Sequence, residues 1–466
     1  MQIIQIENQN PFKKLNEKSN SESQVQRKNP FIENIPLNSK NDDLEYQNID
    51  EKHPEEMKIK NRRKFEEGNE VITIHLGQTG TNIGLEFWQN LISEKLLFND
   101  NSKYEDIMKE YKPIFFNESS TRRPCPRTIF IDYDSYSHNN ILEEFGPIFP
   151  SSCFIYNENE NMDSASYDYN SLNHLFREKI KESLRFQLES CSSLQGFLIF
   201  HSACGNAGRY LGEFFHEIVE DLPLRADNVN IPIYSITPEK NSEIDTINQL
   251  MTTIWLDKYS TFVLPLELNA LVNRINELSF KRLPDSGSEN QFIADIVSNL
   301  TYCIRIKHKT NYTLQSLIQS IITDNNHKFI SSNIASFFES TTSSYLMNPK
   351  DLIYHCFTNT SLTKGNLKLH KFSRNLIILD GRFEREFEEE IKRIFRISDK
   401  SGINISNEII NEEKVKYIIY NSNKDWTSND FKIVFCSNSS SISTFFKDLM
   451  IQDKSFFDTK KRNQMR

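Results

Sequence analysis

From residue 69 onward the chain alternates short apolar runs with amphipathic stretches, whereas residues 1–68 are dominated by Asn, Gln, Lys, Glu and Ser without an apolar period. Apolar runs bounded by polar turns predict buried strands at Val71–His75, Thr128–Asp132, Gly196–His201, Pro232–Thr237 and Thr261–Leu264. Further runs predict strands at Tyr302–Ile306, Leu376–Asp380, Lys416–Tyr420 and Lys432–Cys436. Between them, Leu172, Leu175, Phe176, Ile180, Leu184 and Leu188 recur at helical spacing, as do Phe383, Phe387, Ile391 and Ile394. Alternation of this kind predicts an α/β fold with a mainly parallel sheet covered on both faces. A polar break at Asp324–Lys328 and the Ser/Thr-rich stretch Ser340–Ser344 then divide the pattern. The expected organisation is a disordered leader over 1–68, a first domain over 69–300, a strand, loop and helix over 301–325, and a second α/β domain over 326–466.

Two of the expected strand-to-helix junctions are rich in glycine. The first strand runs into Gly77-Gln-Thr-Gly80-Thr-Asn-Ile-Gly84, and Gly196–His201 runs into Ser202-Ala-Cys-Gly205-Asn-Ala-Gly208. Free amides at a helix N-terminus, with the helix dipole behind them, form a site for phosphate, and glycine lets the backbone approach it closely. Two such turns in one sheet predict a nucleotide clasped at two places. The bland alternative for each is a tight turn with no ligand. The spacing Gly77-x-x-Gly80 also suits a dinucleotide turn, but Asp132, the acid that should follow on the next strand, lies too far along.

Composition narrows the classes. A net charge of −9 over 466 residues argues against a dedicated nucleic-acid binder. No apolar run is long enough to span a bilayer. The 7 cysteines are scattered without a CxxC pair, which indicates neither a disulfide framework nor a zinc site and points to a reducing compartment, cytosolic or nuclear.

Four segments, in order, resemble the tubulin superfamily over roughly residues 69–460. Residues 77–84 look like the family's first phosphate loop, GQCGNQIG, and Phe87-Trp88 follow as they do there. Pro126-Arg-Thr-Ile-Phe-Ile-Asp132-Tyr-Asp134 looks like the PRAxLVDLE strand. Glu189-Ser-Cys-Ser-Ser-Leu-Gln-Gly196-Phe, running into His201-Ser202, is close to ESCDCLQGF…HS. Asn438-Ser-Ser-Ser-Ile-Ser-Thr-Phe-Phe446-Lys is similar to the NSTxIQELFK helix. Phe262-Val-Leu-Pro265 and Asn290–Ile306 look closest to the epsilon and delta kinds, which associate with centrioles and basal bodies.

The resemblance implies an N-terminal Rossmann-like GTPase domain with a parallel sheet, a core helix and a second α/β domain, with GTP or GDP at the strand ends. It implies other tubulin subunits as partners, stacked head to tail, in the microtubule cytoskeleton of the cytoplasm. Nucleic acid, membrane and any small-molecule substrate other than nucleotide are not expected. Gly77, Gln78, Thr79 and Gly80 would meet the phosphates, with Ser202, Gly205, Asn206, Ala207 and Gly208 forming the second turn. That turn departs from the family's GGGTGSG: Cys204, Asn206 and Tyr210 replace glycines and Ala207 replaces the threonine. Two readings of Arg209 stand, contact with phosphate or pairing with an acid across an empty site. Asp134 falls where the family has an acid near Mg²⁺, against the alternative of an exposed acidic turn. The stretch Asn157–Asp163, where the family has a third loop, carries carboxylates that would repel a γ-phosphate, so a diphosphate or no nucleotide is easier to hold.

Asp245 and Asn248 match residues near the ribose, and Asn290 matches one of two guanine-reading asparagines. Leu268 stands at the other, and Ser286 where an aromatic stacks on the base. In the catalytic loop, GxxNxD, Asn311 survives while Thr313 and Ser316 replace acids, so no residue is assigned a catalytic role and hydrolysis is expected to be weak or absent. The expected fold lacks the family's C-terminal helical hairpin, leaving helices of the second domain partly uncovered and Lys460-Lys461-Arg462 as a basic end.

Overall fold

The computed structural model describes residues 69–93, 114–118, 124–133, 139, 141, 148–156, 174–221, 226–235, 243–278, 288–305, 312–322, 324, 326–337, 361–363, 372–381, 415–420 and 431–451. The leader 1–68, the acidic stretch 157–163 and the helical stripe 383–394 lie outside them. The first half runs β1 (Glu70–Leu76), α1 (Gly77–Ser93), β2 (Phe116–Glu118), β3 (Pro124–Pro126), β4 (Thr128–Asp132), β5 (Phe154–Tyr156), α2 (His174–Glu189), β6 (Leu194–Ser202) and α3 (Asn206–Asp221). Next come β7 (Asp227–Tyr234), α4 (Glu243–Tyr259), β8 (Phe262–Val263), β9 (Leu266–Glu267), α5 (Leu268–Leu278), α6 (Ser288–Arg305) and α7 (Leu314–Ile321). The last part holds β10 (Ser331–Phe337), β11 (Phe372–Gly381), β12 (Val415–Tyr420), β13 (Phe431–Ser439) and α8 (442–451).

The first sheet has the order β5-β4-β1-β6-β7-β8, with β9 also on β7, and every pairing is parallel. Parallel sheets need cover on both faces, so their strands read as unbroken apolar runs. β1 is buried along its whole length. Alternate residues feed two cores. On one face Ile72, Ile74, Ile129, Ile131, Phe197 and Ile199 meet Phe176, Ile180 and Leu184 of α2 and Leu211 and Phe215 of α3. On the other face Val71, Phe130, Leu198 and Phe200 meet Ile83, Phe87, Trp88 and Leu91 of α1.

The second sheet has the order β10-β13-β11-β12. It is mixed: β13 runs antiparallel to β10 and β11, while β11 and β12 are parallel. The expectation of mainly parallel strands therefore holds for the first sheet only. α6 lies between the sheets, since Val297, Leu300 and Ile304 share one core with strand residues of the first sheet and with Ile334, Leu376 and Val434 of the second. This is the expected core helix.

That placement overturns the strand expected at Tyr302–Ile306: Tyr302 to Arg305 form the last turn of α6, and Ile306 lies outside the described residues. A helix packed on several sides is apolar nearly all round, and a short apolar run cannot separate it from a strand. β7 begins at Asp227, earlier than the expected Pro232, because its polar Asn228 and Asn230 are buried with partners. Asn230 Nδ2 donates to Ser260 Oγ at 2.9 Å, and Asn228 Nδ2 donates to the Tyr259 carbonyl at 3.3 Å. In α2, Leu175 is 67% exposed and falls off the expected stripe.

Two of the matched segments meet at the N-terminal edge of the first sheet. Buried Arg127 donates from Nη1 to the Ser190 carbonyl at 3.0 Å and from Nε to the Phe116 carbonyl at 3.2 Å. Buried Glu70 accepts the amides of Ser192 at 3.0 Å and Ser193 at 2.9 Å. The fourth segment closes the second sheet: Asn438 Nδ2 donates to the carbonyls of His327 at 3.0 Å and Ile321 at 3.3 Å. Its helix starts at 442, because Asn438 and Ser439 still belong to β13. Beside α8 runs a groove of about 850 Å³ lined by Ile254, Phe446 and Met450 among others.

Candidate functional site

Both glycine turns stand at one edge of the first sheet. β1 and β6 are parallel neighbours with Leu76 opposite His201, so both chains leave the sheet side by side and enter α1 and α3. Open α/β sheets bind ligands at this carboxyl edge.

In the first turn Gly77 has φ 67, in the left-handed region that favours glycine. A Cβ on Gly80 would collide with the Phe200 carbonyl, and one on Gly84 with the ring of His75. These glycines therefore bring α1 close to the sheet. Gln78 is exposed and Thr79 half-buried at the mouth of the turn. His75 holds the junction. Its ring lies between Phe130 and Phe200, with centroids 4.6 and 5.0 Å away, and Nδ1 is 3.2 Å from the Gly80 carbonyl. A carbonyl only accepts, so Nδ1 carries the proton, and Nε2 faces Thr73 Oγ1 at 3.1 Å. Burial lowers the His75 pKa to about 3, so the ring is neutral.

In the second turn a Cβ on Gly208 would collide with the Ser202 carbonyl, and one on Gly212 with the indole of Trp255. Gly205 differs: among the described residues an added Cβ would meet only Ser202 Oγ, at 4.0 Å. Packing explains the glycines at 80, 84, 196, 208 and 212, whereas at Gly205 no described residue would crowd an added Cβ. Ser202 Oγ accepts the amides of Cys204 at 3.2 Å and Gly205 at 3.4 Å, which fixes the turn through long bonds. The Cys204 thiol points inward, accepts the Ser235 amide at 3.2 Å and is pushed up to about 12 by burial, so it is no nucleophile. Asn206 and Ala207 open α3.

Asn248 joins this turn to α4. Its Nδ2 donates to the Cys204 carbonyl at 3.0 Å, and its Oδ1 accepts from Arg209 Nη1 at 3.2 Å. Arg209 also stacks on the Tyr210 ring, with Cζ 4.6 Å from the centroid. Of the two readings of Arg209, pairing with an acid finds no support among the described residues, where its partners are neutral. Asp245 lies one turn before Asn248 on α4, half-buried.

The remaining expected residues are dispersed. Asn290 sits in the first turn of α6, and no hydrogen bond among the described residues ties it to either glycine turn. Leu268 opens α5. Asp134, Ser286 and Asn311 lie outside the described residues. Thr313 and Ser316 cap α7 reciprocally: Thr313 Oγ1 accepts the Ser316 amide at 3.1 Å, and Ser316 Oγ accepts the Thr313 amide at 2.9 Å. Among the described residues no group of His, Cys, Asp or Glu is placed to hold a metal ion. Two edge residues escaped sequence reasoning. One is His75, and the other is fully buried Glu267 at the end of β9, which accepts the Ala270 amide at 2.7 Å. An acid just past the expected strand Thr261–Leu264 was the available signal for Glu267.

The uncrowded position at Gly205 and the half-buried guanidinium of Arg209, which has no acidic partner among the described residues, suit a bound anion at this edge. Residues 70–276 match the family described as Tubulin/FtsZ family, GTPase domain, a span holding both turns. The chain is 28% identical over 281 residues to the "Tubulin gamma chain" of Candida glabrata, covering 58% of this chain and 59% of that protein. It is 25% identical over 260 residues to the "Tubulin beta chain" of Saccharomyces cerevisiae, covering 54% and 56%. The chain thus spans somewhat more than half the length of these relatives, and the family match falls on the α/β domain that carries both turns.

Proposed function

We propose that the chain is a divergent tubulin-type cytoskeletal protein that holds a guanine nucleotide across the two glycine turns and hydrolyses it weakly or not at all. The observation that carries this reading is the pairing of Leu76 with His201, which sets both turns at one sheet edge. The lack of crowding at Gly205 among the described residues supports a phosphate there. Weak hydrolysis rests on Thr313 and Ser316, whose hydroxyls cap a helix where the resemblance expects acids. Other tubulin subunits, stacked head to tail, are the proposed partners. The proposed location is the cytoplasmic microtubule cytoskeleton, with centrioles or basal bodies proposed on the epsilon and delta likeness. Mg²⁺ at Asp134 belongs to the same proposal.

One observation favours a second reading, a nucleotide-free scaffold: Ser202 Oγ already takes two of the amides a phosphate would use. Thermal shift separates the two. The first reading expects GDP to raise the melting temperature and ADP to leave it unchanged. No shift with any guanine nucleotide would favour the scaffold, and phosphate release with saturation kinetics would restore an active GTPase.

A further inference from the structure

We infer that Arg209 is the group that neutralises the nucleotide's phosphates in this chain, so that the diphosphate is held without requiring a divalent metal ion. The inference rests on the guanine-nucleotide reading and assigns the charge within that site.

Four observations converge. Arg209 lies in the first turn of α3, where the helix dipole is positive and a cation is disfavoured. That turn contains no acidic residue, and among the described residues no carboxylate lies within ion-pair distance of Arg209. Its guanidinium is half-buried and held by neutral groups, the Asn248 carboxamide and the Tyr210 ring, while Nε is buried without a partner. A positive charge gathered at a positive helix end, partly removed from water and unmatched, leaves a surplus that an anion would relieve. The fourth observation is that Gly205, one helical turn before Arg209, is not crowded by any described residue. A guanidinium fork also matches phosphate oxygens in pairs, which a point charge does not. Asn248 would then act as a positioning residue, holding the fork between the N-terminal parts of α3 and α4.

The test is calorimetric titration of the full chain, stripped of nucleotide, with GDP, guanosine and inorganic pyrophosphate, each in EDTA and in excess Mg²⁺. The wild type is expected to bind GDP in EDTA within about threefold of its affinity in Mg²⁺. Arg209→Ala is expected to weaken GDP and pyrophosphate by roughly ten- to a hundredfold, the usual worth of a charged hydrogen bond, and to leave guanosine unchanged. If the alanine variant does not fold, Arg209→Gln keeps an amide beside Asn248 and should show the same selective loss. Binding of GDP only with Mg²⁺, or equal binding by wild type and variant in EDTA, would overturn the inference. Pyrophosphate bound through Arg209 with no binding of any guanine nucleotide would leave the anion site standing and remove the nucleotide reading instead.

Discussion

The imidazole Nδ1 of His75 lies 3.2 Å from the carbonyl oxygen of Gly80, so the last part of β1 is tied to the first turn of the helix it feeds. The ring is fully buried and neutral, and two other histidines share that condition. Burial lowers His75 and His216 to about 3 and His201 to about 4. In the unfolded chain each titrates near its ordinary value of about 6.5. A folded pKa below the unfolded one means stability is complete above about pH 6.5 and is lost as the pH falls towards the folded values.

Urea unfolding between pH 8 and pH 4 should therefore show a flat contribution from these groups at the alkaline end. Below about pH 6.5 unfolding takes up as many as three protons, a slope approaching roughly 4 kcal/mol per pH unit. His75→Gln should reduce the slope by about one proton. A profile level from pH 7 to pH 4.5 would contradict the assignment.

The glycines of the two turns should separate into structural and ligand-facing positions. Gly80→Ala and Gly208→Ala push a methyl into backbone carbonyls that cannot swing aside, and each is expected to cost about 3 kcal/mol in stability. Among the described residues the methyl of Gly205→Ala meets only Ser202 Oγ, at 4.0 Å, so stability should move by less than about 1 kcal/mol while GDP binding weakens at least about tenfold. Denaturant midpoints and calorimetry on the same samples decide it. Gly205→Ala that binds like wild type would remove the phosphate from this position.

Arg127 makes the opposite case, a residue of a matched segment remote from the turns. It is buried, and its guanidinium ties the segment at 126–134 to the one at 189–197 and lies 4.0 Å from Glu70. Arg127→Met leaves Glu70 as a buried carboxylate without that neighbour and should cost about 3 kcal/mol. GDP affinity in the folded fraction should change by less than about twofold, read by titration below the variant's melting range.

Much of this arrangement was legible in the chain itself. β1, β4 and β6 read as strands because both faces of a parallel sheet are dry, and their runs are mostly apolar, with Thr73 and His75 among the buried exceptions in β1. The same logic misled at Tyr302, where a helix between two sheets is equally dry. β10, with Ser331, Ser332 and Asn333 buried, carries too little apolar signal to be read as a strand. The glycine turns were visible as a pattern, but which glycine faces a ligand depends on what stands opposite each Cα, and the tertiary fold alone sets that. The absent acids at Thr313 and Ser316 read as a loss, whereas in the fold the two hydroxyls form a capping box, a role worth about 1 kcal/mol.

Acid extraction of the purified full chain, followed by chromatography of the released small molecules against protein concentration, is the most direct test of the central claim. Guanosine diphosphate is expected near one molecule per chain, sharply reduced in Gly205→Ala. Protein that emerges folded and carries no guanine nucleotide, even after incubation with excess GDP, would contradict it.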